Sequence, residues 1–140
     1  MKNNVPISTI MTKNVIKLNL SDDLTKAESL FKKYHIRHIP VVSGNKIVGM
    51  LSYTDLLRIS FADALDDDEN EIDVTVYNMF TVEQVMARKL VKVSPETSIK
   101  EVAEILSAKE FHALPVVQDE ILVGIVTTTD LIKYLLQQYY

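Results

Sequence analysis

Pro40-Val41-Val42-Ser43-Gly44-Asn45-Lys46-Ile47-Val48-Gly49-Met50-Leu51-Ser52-Tyr53-Thr54-Asp55-Leu56 has a counterpart later in the chain, Pro115-Val116-Val117-Gln118-Asp119-Glu120-Ile121-Leu122-Val123-Gly124-Ile125-Val126-Thr127-Thr128-Thr129-Asp130-Leu131. The offset is constant, since 115 minus 40 and 130 minus 55 are both 75. It also pairs Met11 with Met86 and Lys17 with Lys92, and it runs without a gap from about Pro6 to Ile59 of the first copy. Apolar positions mostly face apolar positions. The chain therefore reads as a tandem duplication, which a chance Pro-Val-Val pair would not produce.

The same periods recur in both copies. Leu24, Ala27, Leu30, Phe31 and Tyr34 stand at helical spacing, as do Ile99, Val102, Ile105 and Leu106, which predicts one amphipathic helix per copy. Asp22-Asp23 marks the start of the first, and Pro95 followed by Ser98-x-x-Glu101, a capping box, marks the second. A β-prone stretch, Val15–Leu18 or Leu90–Val93, precedes each helix. Ile39–Val42 and Ile47–Leu51 flank a short polar turn in copy one, and Gln118-Asp119-Glu120 separates the matching runs in copy two, so each pair reads as a hairpin. A last helix begins near Asp55 or Asp130 and carries Leu56, Leu57, Ile59 and Phe61, or Leu131, Ile132, Leu135 and Leu136.

The unit is thus β-α-β-β-α, an α/β (α+β) fold. A unit under about 60 residues is marginal alone, so the two copies are expected to pack sheet against sheet as one body. The expected boundaries are a first repeat over residues 1–60, an acidic linker over 61–79 and a second repeat over 80–140. The linker holds Asp66-Asp67-Asp68-Glu69-Asn70-Glu71, a run of like charge that reads as a solvated loop, with divalent-cation sensing as the alternative.

Composition narrows the function. Of 140 residues 47% are apolar, which argues against disorder, and no apolar run approaches the ~20 residues a membrane-spanning helix needs, so no membrane insertion is expected. Met1-Lys2-Asn3-Asn4-Val5-Pro6 has no apolar core and no small-residue cleavage site, so cytoplasmic residence is the expectation. The absence of cysteine excludes disulfides and thiol chemistry. The net charge of −4, with no cluster of five or more Lys and Arg, makes nucleic acid an unexpected partner. No catalytic triad, carboxylate pair or activated nucleophile can be assembled, so no catalytic residue is expected. A Gly-rich phosphate loop with Lys is also missing.

Ser52-x-x-Asp55 and Thr127-x-x-Asp130 can be read in two compatible ways. They satisfy a helix-capping rule, and a carboxylate in a helix's first turn can accept ribose hydroxyls while free backbone N–H groups attract phosphate. Gly49 and Gly124, inside strands, mark either a bulge or a close approach by ligand or backbone. Arg37 and His38 precede Pro40, whereas His112 and Ala113 hold the equivalent places, so two non-equivalent sites are expected. His35 and His38 stand three apart across the predicted helix end, whereas helical zinc pairs stand four apart, so no metal site is expected there. Tyr134, Leu135, Leu136, Tyr139 and Tyr140 give the last helix an apolar end, read either as core or as a symmetric dimer seam.

With Met11 and Met86, the Pro-Val-Val strands, and Gly49-x-x-Ser52-x-x-Asp55 beside Gly124-x-x-Thr127-x-x-Asp130, the chain resembles the CBS domain family, named for cystathionine β-synthase. The resemblance spans almost the whole chain. It implies a pseudo-twofold pair of βαββα repeats, a stand-alone regulatory module, that binds an adenosine-containing ligand in the cleft between repeats and modulates a partner protein. It places ribose and phosphate contacts on Ser52, Thr54 and Asp55, on Thr127, Thr129 and Asp130, and phosphate contacts on Arg37, His38 and His112. It implies AMP, ADP and ATP as ligands in an energy-sensing role, with NAD and S-adenosylmethionine as further candidates, no required cofactor, and a homodimer of repeat pairs. The competing expectation is a ligand-independent oligomerisation or interaction scaffold.

Overall fold

A computed structural model describes residues 4–64, 77–109 and 111–140. The acidic run 66–71 lies outside the described residues. Mixed α/β structure follows, with five strands among the described residues. The elements in chain order are a 3-10 turn at Ile7–Thr9, β1 (Leu18–Asn19), α1 (Leu24–Tyr34), β2 (His38–Ser43), β3 (Lys46–Ser52), α2 (Tyr53–Ala64), α3 (Val82–Val85), α4 (Ile99–Ala108), β4 (Ala113–Gln118), β5 (Ile121–Thr127) and α5 (Thr128–Gln137). The β-α-β-β-α order of the first copy is complete. In the second, the leading strand shrinks to a single bridge between Val93 and Val116.

The chain forms two compact units. One takes residues 16–44 and 48–89, and the other takes the N-terminal segment to Val15, residues 45–47 and 90–140. The division falls at Val15/Ile16 and at Lys89/Leu90, inside or beside the two predicted leading strands. There the chain passes from one unit to the other, and β1, two residues long, follows just past the first division.

In the unit holding the first copy, Asp23 caps α1 by accepting the Lys26 N–H at 2.8 Å. The helix buries Leu24, Ala27 and Phe31, and stops at His35, whose left-handed backbone (φ 53°) occupies the place glycine usually takes. β1 pairs parallel to β2, Leu18 with Val41 and Asn19 with Val42, and β2 neighbours β3. Ile39, Val41, Leu51 and Leu56 join the helix in one core, closed by Tyr77, Val82 and Met86. The Tyr77 hydroxyl donates to the Glu28 carboxylate.

The other unit repeats this scheme with different detail. Ser98 caps α4 through the Glu101 N–H at 3.0 Å. β4 and β5 pair antiparallel from Ala113↔Thr127 to Gln118↔Ile121, with an irregularity at Val116/Val117 beside Gly124. Val102, Leu114, Val116 and Val126 form the core, and Ile7 of the N-terminal segment is fully buried in it. That segment is held by backbone bonds: Ile7 N–H donates to Thr97 O at 2.7 Å and Ile99 N–H to Val5 O at 2.8 Å. At the start of β3, Lys46 pairs with Ile121.

The two hairpin turns are two residues long, shorter than the polar separators because the strands extend into them, and they differ in type. Gly44 alone has positive φ (65°) in the first, a II′ pattern, whereas Asp119 and Glu120 both do (50° and 67°) in the second, an I′ pattern.

Candidate functional site

The predicted motif residues meet at the strand-to-helix junction of each copy. In copy one the Asp55 N–H donates to Ser52 Oγ at 3.0 Å and the Ser52 N–H donates back to Asp55 Oδ2 at 3.3 Å. In copy two the Asp130 N–H donates to Thr127 Oγ1 at 3.2 Å and the Thr127 N–H to Asp130 Oδ2 at 2.9 Å. Both pairs are reciprocal capping boxes. The capping reading of these residues is therefore realised in full, and the binding reading must use what capping leaves over.

A second tie brings the strand-leading residues to the same place. The Tyr53 N–H donates to the Arg37 carbonyl at 2.8 Å, and the Thr128 N–H donates to the His112 carbonyl at 2.9 Å. Residues Arg37 and His112, more than a dozen positions upstream, are thus fixed beside the first turns of α2 and α5. His38 follows as the first residue of β2, half-buried, while Arg37 and His112 are exposed.

A helix opens with four N–H groups that lack intrahelical partners. In α2, Ser52 gives its N–H to Asp55, Tyr53 to Arg37, and Asp55 to Ser52. The Thr54 N–H is left, and by the same count the Thr129 N–H is left in α5. Both threonines are exposed. The several free donors expected for phosphate thus reduce to one backbone N–H per copy, with a hydroxyl on the same residue.

The carboxylates differ in their remaining oxygen. Asp55 Oδ1 accepts Arg58 Nη1 at 3.5 Å, whereas Asp130 Oδ1 has no partner among the described residues. Arg58 did not figure among the expected residues, although its place one helical turn after Asp55 was a signal for it.

Gly49 and Gly124 have a cause that the sequence pattern does not name. A Cβ on Gly49 would overlap Met86 Sδ, and one on Gly124 would lie 2.7 Å from Met11 Sδ. The methionines are carried by segments paired onto the site strands: Thr12 exchanges two backbone bonds with Ile125 (2.8 and 3.0 Å), and Ala87 does so with Met50 (2.8 and 3.0 Å). The close approach is by a side chain, and in copy two the β4–β5 irregularity also adjoins the glycine. His35 is exposed at the end of α1. Among the described residues no group of three or more His, Asp and Glu could hold a metal ion.

Tandem βαββα copies, each closing a Gly-x-x-Ser/Thr-x-x-Asp capping box, define a paired repeat. The CBS domain family matches residues 7–62 and 82–137, and the chain belongs to it. The protein MJ1225 of Methanocaldococcus jannaschii is 26% identical over 132 residues, 94% of this chain and 47% of its own length. The chain spans less than half of that and several other curated relatives. Among solved structures, the CBS domain pair of MJ0100 in complex with 5′-methylthioadenosine and S-adenosyl-L-methionine superposes with a TM-score of 0.74 at 26% identity, covering 97% of this chain and 98% of that one. CBSX2 in complex with AMP shares the fold with a TM-score of 0.80 at 24% identity, covering 97% and 99%.

Proposed function

We propose that the protein is a regulatory module that binds an adenosine-containing ligand at the capping boxes and passes occupancy to a partner protein. The observation that carries this is the binding capacity left over after capping. Each box retains an exposed Thr N–H and hydroxyl at Thr54 or Thr129, beside Arg37 and His38 or beside His112, and Asp130 keeps a whole oxygen unpaired. A carboxylate accepting a ribose diol next to a phosphate-facing N–H is a compact adenosine-nucleotide recognition unit. The 5′-methylthioadenosine and S-adenosyl-L-methionine held by the MJ0100 domain pair support the ligand class.

The reading assigns no catalytic step, no required cofactor and no nucleic-acid partner. Cytoplasmic residence belongs to the same proposal; no described helix is long and apolar enough to cross a membrane. Calorimetry with AMP, ADP, ATP, NAD and S-adenosylmethionine tests it. Binding of at least one tighter than about 1 mM, roughly −4 kcal/mol, is expected, and failure of all five refutes it.

A specific observation favours a second reading, an interaction scaffold built as a homodimer. Ile132, Leu135 and Leu136 on α5 are about half exposed (52%, 47% and 51%), and Leu57 on α2, the equivalent of Ile132, is 48% exposed. Light scattering on wild type and Leu136→Glu tests the seam, and thermal melting with and without the five adenosine ligands separates the two readings, since a scaffold predicts a dimer indifferent to nucleotides.

A further inference from the structure

We infer that the two boxes sort adenosine ligands by the charge of the 5′ group. The first copy takes a 5′-phosphorylated nucleotide, and the second takes an adenosyl compound whose 5′ substituent is uncharged or cationic. This rests on the boxes being adenosine sites at all, and it assigns a ligand class to each.

The boxes share their backbone and cap geometry, so the difference lies in the side chains around them. Two arginines belong to this end of α2: Arg37, whose carbonyl accepts the Tyr53 N–H at 2.8 Å, and Arg58, paired with Asp55. Arg37 is exposed with no ion-pair partner among the described residues, and Arg58 is held at 3.5 Å by Asp55 Oδ1 while 73% exposed. Two fixed positive charges against one carboxylate leave a net cation, and guanidinium groups meet a phosphate with paired, directed hydrogen bonds. When a ribose diol takes Asp55 Oδ1, Arg58 is released toward the same phosphate.

Beside Thr127 and Asp130 the counterpart of Arg37 is His112, the counterpart of His38 is Ala113, and the counterpart of Arg58 is Lys133, which forms no ion pair with Asp130. One ammonium against one carboxylate leaves no net charge from Lys133 and Asp130, and no guanidinium stands in this copy's equivalent places. A phosphate dianion placed there would meet the Asp130 carboxylate, which holds no arginine, without a bidentate donor of its own. A thioether or sulfonium at the 5′ position avoids that repulsion, and a sulfonium is attracted by the same carboxylate.

The test is calorimetry on the whole chain with AMP and 5′-methylthioadenosine, each alone and then one after saturation with the other. Expected are one site for each, with AMP leaving the methylthioadenosine affinity within about twofold. Arg37→Gln lowers AMP affinity by more than about tenfold, and Asp130→Asn does so for methylthioadenosine. The exposed His112→Arg change, which leaves both caps intact, raises AMP stoichiometry from one to two. Melting curves of each variant confirm that it is folded. Mutual competition for one site, two AMP sites in the wild type, or His112→Arg without a gained AMP site overturns the sorting while leaving the adenosine reading intact. Binding of neither compound, nor of any other adenosine ligand, overturns both.

Discussion

The two copies carry the same backbone chemistry and different surroundings. Both turn from strand to helix through a reciprocal capping box, both tie the helix's first N–H to a residue just before the preceding hairpin, and both place a glycine under a methionine sulfur. They diverge in what rings those features: Asp55 is paired with Arg58 where Asp130 is open, Met86 is buried where Met11 is half-buried, and the hairpin turns are II′ and I′. Duplication has kept what the fold needs to close and released what a ligand would read. Stability should therefore respond alike to changes in the shared features, and unequally to changes in the ones that differ.

The largest expected effect breaks the symmetry of the methionines. Met86→Ala empties a buried site and should cost about 2–5 kcal/mol in denaturant unfolding, and Met11→Ala, at a half-buried site, clearly less. Equal losses would show that the two segments are held equally well. Next, Gly49→Ala drives a methyl into Met86 and should cost about 1–3 kcal/mol, with much of that loss recovered in the Gly49→Ala, Met86→Ala double variant. Simple additivity in that cycle would mean the sulfur is not what excludes a side chain.

Smaller effects test what is shared. Ser52→Ala and Thr127→Ala each remove a cap and should each cost about 0.5–2 kcal/mol by thermal melting, equal within about 0.5 kcal/mol. A much larger loss in one copy would reveal support beyond the cap. The smallest change is at the turns. Glu120→Gly relieves a positive φ and should stabilise by about 0.5–1 kcal/mol, whereas Asn45→Gly, at a position without positive φ, should not.

Much of this was legible in the residues. The constant register predicted two copies of one unit, helical spacing located α1 and α4, and the Ser/Thr-x-x-Asp pattern predicted both boxes down to their partners. Capping is readable because it acts over three residues and depends on two side chains. Less was legible where the chain's path matters. Val15–Leu18 and Leu90–Val93 have strand composition, yet only Leu18 of the first joins a ladder and only Val93 of the second makes a bridge. The Arg37 carbonyl to Tyr53 N–H bond could not be read either, since no side-chain identity encodes it.

The sequence by itself determined the repeat, the element order, the caps and the unequal charges at positions 37 and 112, because each depends on local spacing or on the identity of a residue and its copy. The tertiary structure alone decided that the segment bearing Met11 is built into the unit of the second copy, and the segment bearing Met86 into the unit of the first. It alone decided that capping leaves one N–H per box and one unpaired carboxylate oxygen at Asp130. Those outcomes are set by which backbone groups meet across long sequence separations. Hydrogen-bond capacity is shared out among all partners in space, and a linear pattern records the donors and acceptors without recording how they are spent.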